Sequence, residues 1–103
     1  MKGIIWGSSI TRAQDQLEKV CYEYGIIGIR CKQERHFHYK SEVVFENGDL
    51  WIALEACENA RGYKCNISYI DELINRDIVD RIIRPITCAL PFNGIKYFYS
   101  YIT

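Results

Sequence analysis

Gly3-Ile4-Ile5-Trp6-Gly7-Ser8-Ser9 runs directly into Ile10-Thr11-Arg12-Ala13-Gln14-Asp15-Gln16-Leu17-Glu18-Lys19-Val20-Cys21-Tyr22-Glu23-Tyr24-Gly25. The first stretch is a short apolar run that closes on small polar residues, which reads as a buried strand followed by a turn and a helix N-cap. In the second, Ala13, Leu17, Val20, Cys21 and Tyr24 recur at helical spacing while Gln, Asp, Glu and Lys occupy the other face, so a helix is expected over 11–24 with Gly25 as its stop signal. A buried strand feeding an amphipathic helix is the building unit of an α/β sheet.

Working outward, Ile26 to Arg30 reads as a second strand and Cys31 to Lys40 as a polar excursion. Glu42-Val43-Val44-Phe45-Glu46, Asn47-Gly48 and Asp49-Leu50-Trp51-Ile52-Ala53 carry a hairpin signal, because Asn-Gly tolerates the positive φ of a type I′ turn. Cys57 to Tyr63 is a glycine-containing loop. Cys65 to Ile70 is a strand ending on Asp71-Glu72, Asp77 to Ile83 a short helix stopped by Pro85, and Ile95 to Ile102 a strand rich in aromatic and β-branched residues. Strands alternating with helices around one hairpin predict an α/β fold: a mainly parallel sheet with flanking helices and one β-hairpin, in a single domain over 1–103.

Composition bounds the function. The 103 residues suffice for one hydrophobic core, and 49% hydrophobic residues with two prolines is a globular balance. Thirteen basic residues offset thirteen acidic ones, which removes net charge as an argument for nucleic-acid or membrane-surface binding. Five irregularly spaced cysteines, with no signal-like N-terminus, point to a reducing cytoplasm. No apolar run approaches the roughly 18 residues needed to cross a bilayer.

The chemistry-bearing stretch is Asn59-Ala60-Arg61-Gly62 followed by Cys65-Asn66-Ile67-Ser68-Tyr69-Ile70-Asp71-Glu72. A strand ending in Asp-Glu is how many nucleotide hydrolases place a Mg²⁺-side aspartate and a water-activating glutamate. For the pair alone, solubility or helix N-capping is the better reading, because acidic pairs often follow strands. His36-Phe37-His38, with Cys31 nearby, is a zinc candidate that lacks a second ligand pair at a recognisable spacing.

In context, Phe45-Glu46-Asn47-Gly48, Asn59-Ala60-Arg61-Gly62, Tyr69-Ile70-Asp71-Glu72 and Ile82-Ile83-Arg84-Pro85 occur in an order that resembles the ATPase domain of phage terminase large subunits, part of a P-loop ATPase core. Lys2 to Val20, with Ala13-Gln14, is similar to the segment after the phosphate loop, and Lys96 to Tyr101 to the strand of the coupling motif. The resemblance implies Mg-ATP as cofactor, with Asp71 on the metal side through water, Glu72 as general base, Arg61 as an arginine finger and Ser100 as the coupling hydroxyl. The other reading of Arg61 is a loop arginine bonded to backbone carbonyls.

No Gly-Lys dipeptide occurs in the chain, and a phosphate loop needs that lysine, so the chain resembles an internal piece that does not hydrolyse ATP alone. In this family the phosphate-loop strand lies beside the coupling strand, so Ile95 to Ile102 is expected to be an open edge. The implied partners are other terminase subunits or a second copy joined through that edge, with double-stranded DNA engaged only by the full motor and no membrane. Two alternatives are a stand-alone phage or prophage module that binds a protein through the edge, and a single-stranded nucleic-acid binder that stacks bases on the run Lys96-Tyr97-Phe98-Tyr99-Ser100-Tyr101.

Overall fold

In the computed structural model, which describes residues 1–87 and 94–98, the apolar run at the start of the chain becomes the centre of the sheet. Strand β1 (Lys2–Gly7) pairs in parallel with β4 (Leu50–Glu55) on one side and with β5 (Ile67–Asp71) on the other. Ile4, Ile5 and Trp6 are all fully buried. A parallel strand covered on both faces carries apolar side chains without alternation. Beyond β4 lie β3 (Lys40–Phe45) and β2 (Cys31–His36), both antiparallel steps, and beyond β5 lies β6 (Ile95–Phe98), parallel to it. The order is β2-β3-β4-β1-β5-β6, a six-stranded, mostly parallel mixed sheet. The α/β class expected from the sequence is the one observed.

The two faces have separate cores. Ile5, Val43, Phe45, Trp51 and Ala53 meet Ala13, Leu17 and Val20 of helix α1 (Ile10–Ile26). Ile4, Trp6, Ile52, Leu54 and Ile70 meet Val79, Ile82, Ile83 and Ile86 of a second helical segment, α2, at 76–86. From β1 the chain passes over one face toward β4, and from β5 over the other face toward β6. Neighbouring strands whose connections leave in opposite directions make a topological switch point, and in open α/β sheets ligand sites form at the carboxyl ends of such strands.

Several boundaries differ from the sequence expectation, each for a local reason. Ser9 is the N-cap, accepting from Arg12 N at 3.3 Å, as the polar turn suggested. The stop is Gly28, not Gly25. Gly28 takes φ of +81°, its N–H donates to Gly25 O, and Ile29 N–H reaches back to Tyr24 O, a Schellman closure that uses two orphan carbonyls. Gly25 stays inside the helix, where glycine costs only about 1 kcal/mol. Residues 26–30 are therefore spent on the last turn and its cap, and the second strand is Cys31–His36. Every residue of that strand is exposed, so no apolar alternation marked it. Charged side chains suit such an edge.

The hairpin forms, but with a three-residue connection. Phe45 N donates to Asp49 O, Gly48 N donates to Phe45 O, and only Gly48 has positive φ, at +93°. Type I′ would need Asn47 left-handed as well. Asn47 instead accepts from Asp49 N at 3.0 Å.

Pro85 does not end α2, which opens as an α-turn (Arg76–Ile78), widens to a π-turn (Val79–Ile83) and closes as a second α-turn (Arg84–Ile86). A wider turn upstream is one way a helix absorbs a proline that has no N–H to donate. Residues 99–102 of the expected last strand lie outside the described residues. No described helix is long and apolar enough to cross a membrane.

Candidate functional site

Asp71 is the last residue of β5, beside the point where β1 gives way to α1. Its side chain is completely buried, and a buried carboxylate needs its lone pairs satisfied. Five donors converge on it. Oδ2 accepts from Arg12 Nε at 2.6 Å, Ser8 Oγ at 2.8 Å and Ser8 N at 3.0 Å. Oδ1 accepts from Leu73 N at 3.0 Å and Arg12 Nη2 at 3.1 Å. The guanidinium thus grips the carboxylate through two nitrogens, the strongest geometry available to an arginine. Burial pushes the Asp71 carboxyl up, but the bonds from Arg12, Ser8 and Leu73 N outweigh it and hold the group well below the usual carboxylate range. The same hydrogen bond raises Arg12.

The other expected residues distribute as follows. Glu72 is exposed and its N–H donates to Phe98 O on β6. Arg61 lies in the 3-10 turn Glu58–Gly62 between β4 and β5, a turn tied to α2 by Arg81 Nη2 on Glu58 Oε1 at 2.8 Å. Ser100 lies outside the described residues. Among the described residues no group of three His, Cys, Asp or Glu side chains is placed to hold a metal ion. His36 Nδ1 contacts Ser41 Oγ at 2.9 Å instead.

Sequence reasoning passed over Ser8 and Arg12. A signal for Arg12 was present: a cation in the first turn opposes the helix dipole and calls for a specific anion to hold it there. The polar residue just before β5 and the serine within it also find their reason here. Asn66 Oδ1 accepts from Lys2 N at 2.9 Å, and Ser68 Oγ accepts from the Trp6 indole at 3.0 Å.

No family model matches the chain, and no curated protein sequence is significantly similar to it. Among solved structures, the large terminase from a thermophilic bacteriophage superposes with a TM-score of 0.58 at 15% identity, over 95% of this chain. The fold is terminase-like. The chain spans 24% of the length of that terminase, and at this identity the likeness concerns the backbone.

In a terminase-like frame the carboxyl end of β5 is where the sequence resemblance implies Mg-ATP. The described residues do not fit that group. A carboxylate offers about four lone-pair sites, and five donors already occupy those of Asp71. One donor is a cation that a second cation would face at close range. Ser8 N, an amide at a strand-to-helix turn of the kind that could meet a phosphate, donates to Asp71. The turn Gly7-Ser8-Ser9 supplies no lysine.

Proposed function

We propose that this chain forms part of the core of a terminase-type, DNA-packaging ATPase and does not itself hydrolyse ATP. The observation that carries the reading is the end of the sheet. Strand β6 lies parallel to β5 from Ser68↔Ile95 to Asp71↔Phe98, and among the described residues it is the last strand. That is the side on which the family pattern has its phosphate-loop strand. In an assembled motor that strand would bring the phosphate-binding amides and the lysine. Glu72, Arg61 and Ser100 are then the candidates for general base, arginine finger and coupling hydroxyl, and double-stranded DNA is a partner of the whole motor only.

A second reading, a small phage module that binds another chain at the same edge, is favoured by Tyr97. This β6 side chain is 46% exposed, and open edges pair with other strands.

The coding sequence upstream of residue 1 separates the two. An in-frame phosphate loop supports the motor reading, whereas a stop codon and a separate ribosome-binding site favour the module. Mg-dependent ATP turnover by the 103-residue chain alone would overturn the first reading. For the module reading, a dimer is expected in light scattering at high micromolar concentration, and a strict monomer that captures no partner counts against it.

A further inference from the structure

We infer that Arg12 is a built-in replacement for a divalent cation at Asp71, and that Asp71 in this chain is a positioning residue that clasps α1 to β5, not a metal ligand. The inference goes beyond the packaging reading and stands on the geometry whether or not the chain works inside a motor.

The location comes first. The crevice at the carboxyl ends of β1 and β5 is the switch point of the sheet, where folds of this type hold their ligands. Here the chain closes that crevice with its own side chains. Ser8 and Arg12 come from the β1–α1 corner and Asp71 from β5, and the side chain of Arg12 is only 19% exposed while that of Asp71 is fully covered.

The charge comes next. A buried carboxylate needs a compensating cation, which the fold takes from a guanidinium that stays protonated at any working pH. Arginine meets a carboxylate in two parallel bonds. Mg²⁺ would instead demand an open oxygen about 2.0–2.1 Å away within an octahedral shell that keeps several waters. With Arg12 Nε at 2.6 Å from Oδ2 and three further donors from Ser8 and Leu73, the acceptor directions are spoken for. To ligate a metal, Asp71 would have to release Arg12, and α1 would then begin on an unpaired cation in its first turn, which the helix dipole disfavours.

The lock also explains why the corner uses side chains from a strand-to-helix turn. Ser8 donates both its amide and its hydroxyl to Oδ2, so the turn is held from two directions and Ser9 is left free to cap α1. One carboxylate thereby sets where the helix starts relative to β5.

The test uses the 103-residue chain labelled with ¹⁵N. Under titration with millimolar Mg²⁺, and separately with trace Mn²⁺, the amide signals of Ser8 and Leu73 and the Arg12 Nε–H signal are expected to stay in place and unbroadened. Saturable shifts or selective Mn²⁺ broadening at these three positions would overturn the inference. A second arm uses melting temperatures. Arg12→Ala is expected to melt below the parent and to recover in part when Mg²⁺ is added, because the carboxylate is then open, while the parent shows no Mg²⁺ dependence. An Arg12→Ala chain that melts like the parent, or a parent stabilised by Mg²⁺ as strongly as the variant, contradicts it. If Arg12→Ala does not fold, Arg12→Lys decides the second arm. It keeps the charge but loses the two-nitrogen grip, so a lowered melting temperature without Mg²⁺ dependence supports the clasp, and an unchanged one opposes it.

Discussion

The indole nitrogen of Trp6 donates to Ser68 Oγ at 3.0 Å, joining two buried strands through side chains that are 62 residues apart in sequence. Ser68 in turn meets Thr87 Oγ1 at 2.6 Å and Cys65 Sγ at 3.3 Å, and Thr87 Oγ1 donates to Ile83 O at 2.9 Å. This small polar chain inside an apolar face fastens β1, β5 and the end of α2 together.

Ser68→Ala leaves the Trp6 N–H buried without an acceptor, which costs about 1–3 kcal/mol. Urea denaturation is expected to show that loss. The double variant with Trp6→Phe should lose less than the sum of the two single variants, because the second change removes the orphaned donor. Strict additivity would show that the two groups are not coupled.

Asp71→Asn is expected to destabilise the fold by about 3 kcal/mol near neutral pH, the scale for breaking a buried pair on one side. The pH dependence has a defined sign. The folded pKa lies below the unfolded value, so the contribution is fully present above the unfolded pKa of about 3.9 and is lost as pH falls below it toward the folded pKa. Stability of the parent measured from about pH 6 down to about pH 2 should therefore drop more steeply than that of Asp71→Asn. Some slope remains in the variant, because Asp49 is also held low: burial raises it, and bonds from Tyr24 and Asn47 more than compensate.

Tyr24 passes a hydrogen bond along, accepting from Trp51 Nε1 at 2.9 Å and donating to Asp49 Oδ2 at 2.7 Å while its ring stacks on Phe45 at 3.9 Å. Tyr24→Phe keeps the stack and removes both bonds, for an expected loss of about 1–2 kcal/mol. Burial first, and the bonded Asp49 carboxylate with it, push the phenol up to about 12. An ultraviolet titration comparing parent and variant should place the missing ionisation at the alkaline end of the curve; a difference spectrum already present near the ordinary tyrosine pKa of about 10 would contradict this.

Gly48→Ala should cost more than about 1 kcal/mol, because φ of +93° is disfavoured for any residue with a Cβ even though the space beside it is open. Thermal melts provide the measure. An unchanged melting temperature would mean that the turn re-forms with another geometry.

Elements with a local signature were readable along the chain. The strand at Gly3–Trp6, the helix over 11–24 and the hairpin halves around Asn47-Gly48 each bury a regular set of side chains, and regular burial writes itself into period and turn residues. Cys31–His36 buries nothing, so it left no period to read. Gly25 and Gly28 look alike in sequence, and only the closing bonds of Ile27, Gly28 and Ile29 distinguish a tolerated glycine from a terminating one. The carboxylate at the end of β5 was likewise visible as a candidate, while the cation that answers it was marked only by its place in a helix's first turn, which names no partner.

What the sequence determined by itself was the α/β character, the buried strand at Gly3–Trp6 and the placing of Asp71 at a strand's carboxyl end. All of these follow from side-chain spacing within elements and from the order of the elements along the chain. What only the tertiary structure decided was the company Asp71 keeps. Arg12 and Asp71 are 59 residues apart, and nothing in the spacing of either segment states that β5 lies beside β1. Hydrophobic pattern records which face of an element leaves water, whereas the choice of neighbour is made when strands pair across the sheet, and here that pairing joined Arg12 and Ser8 to Asp71.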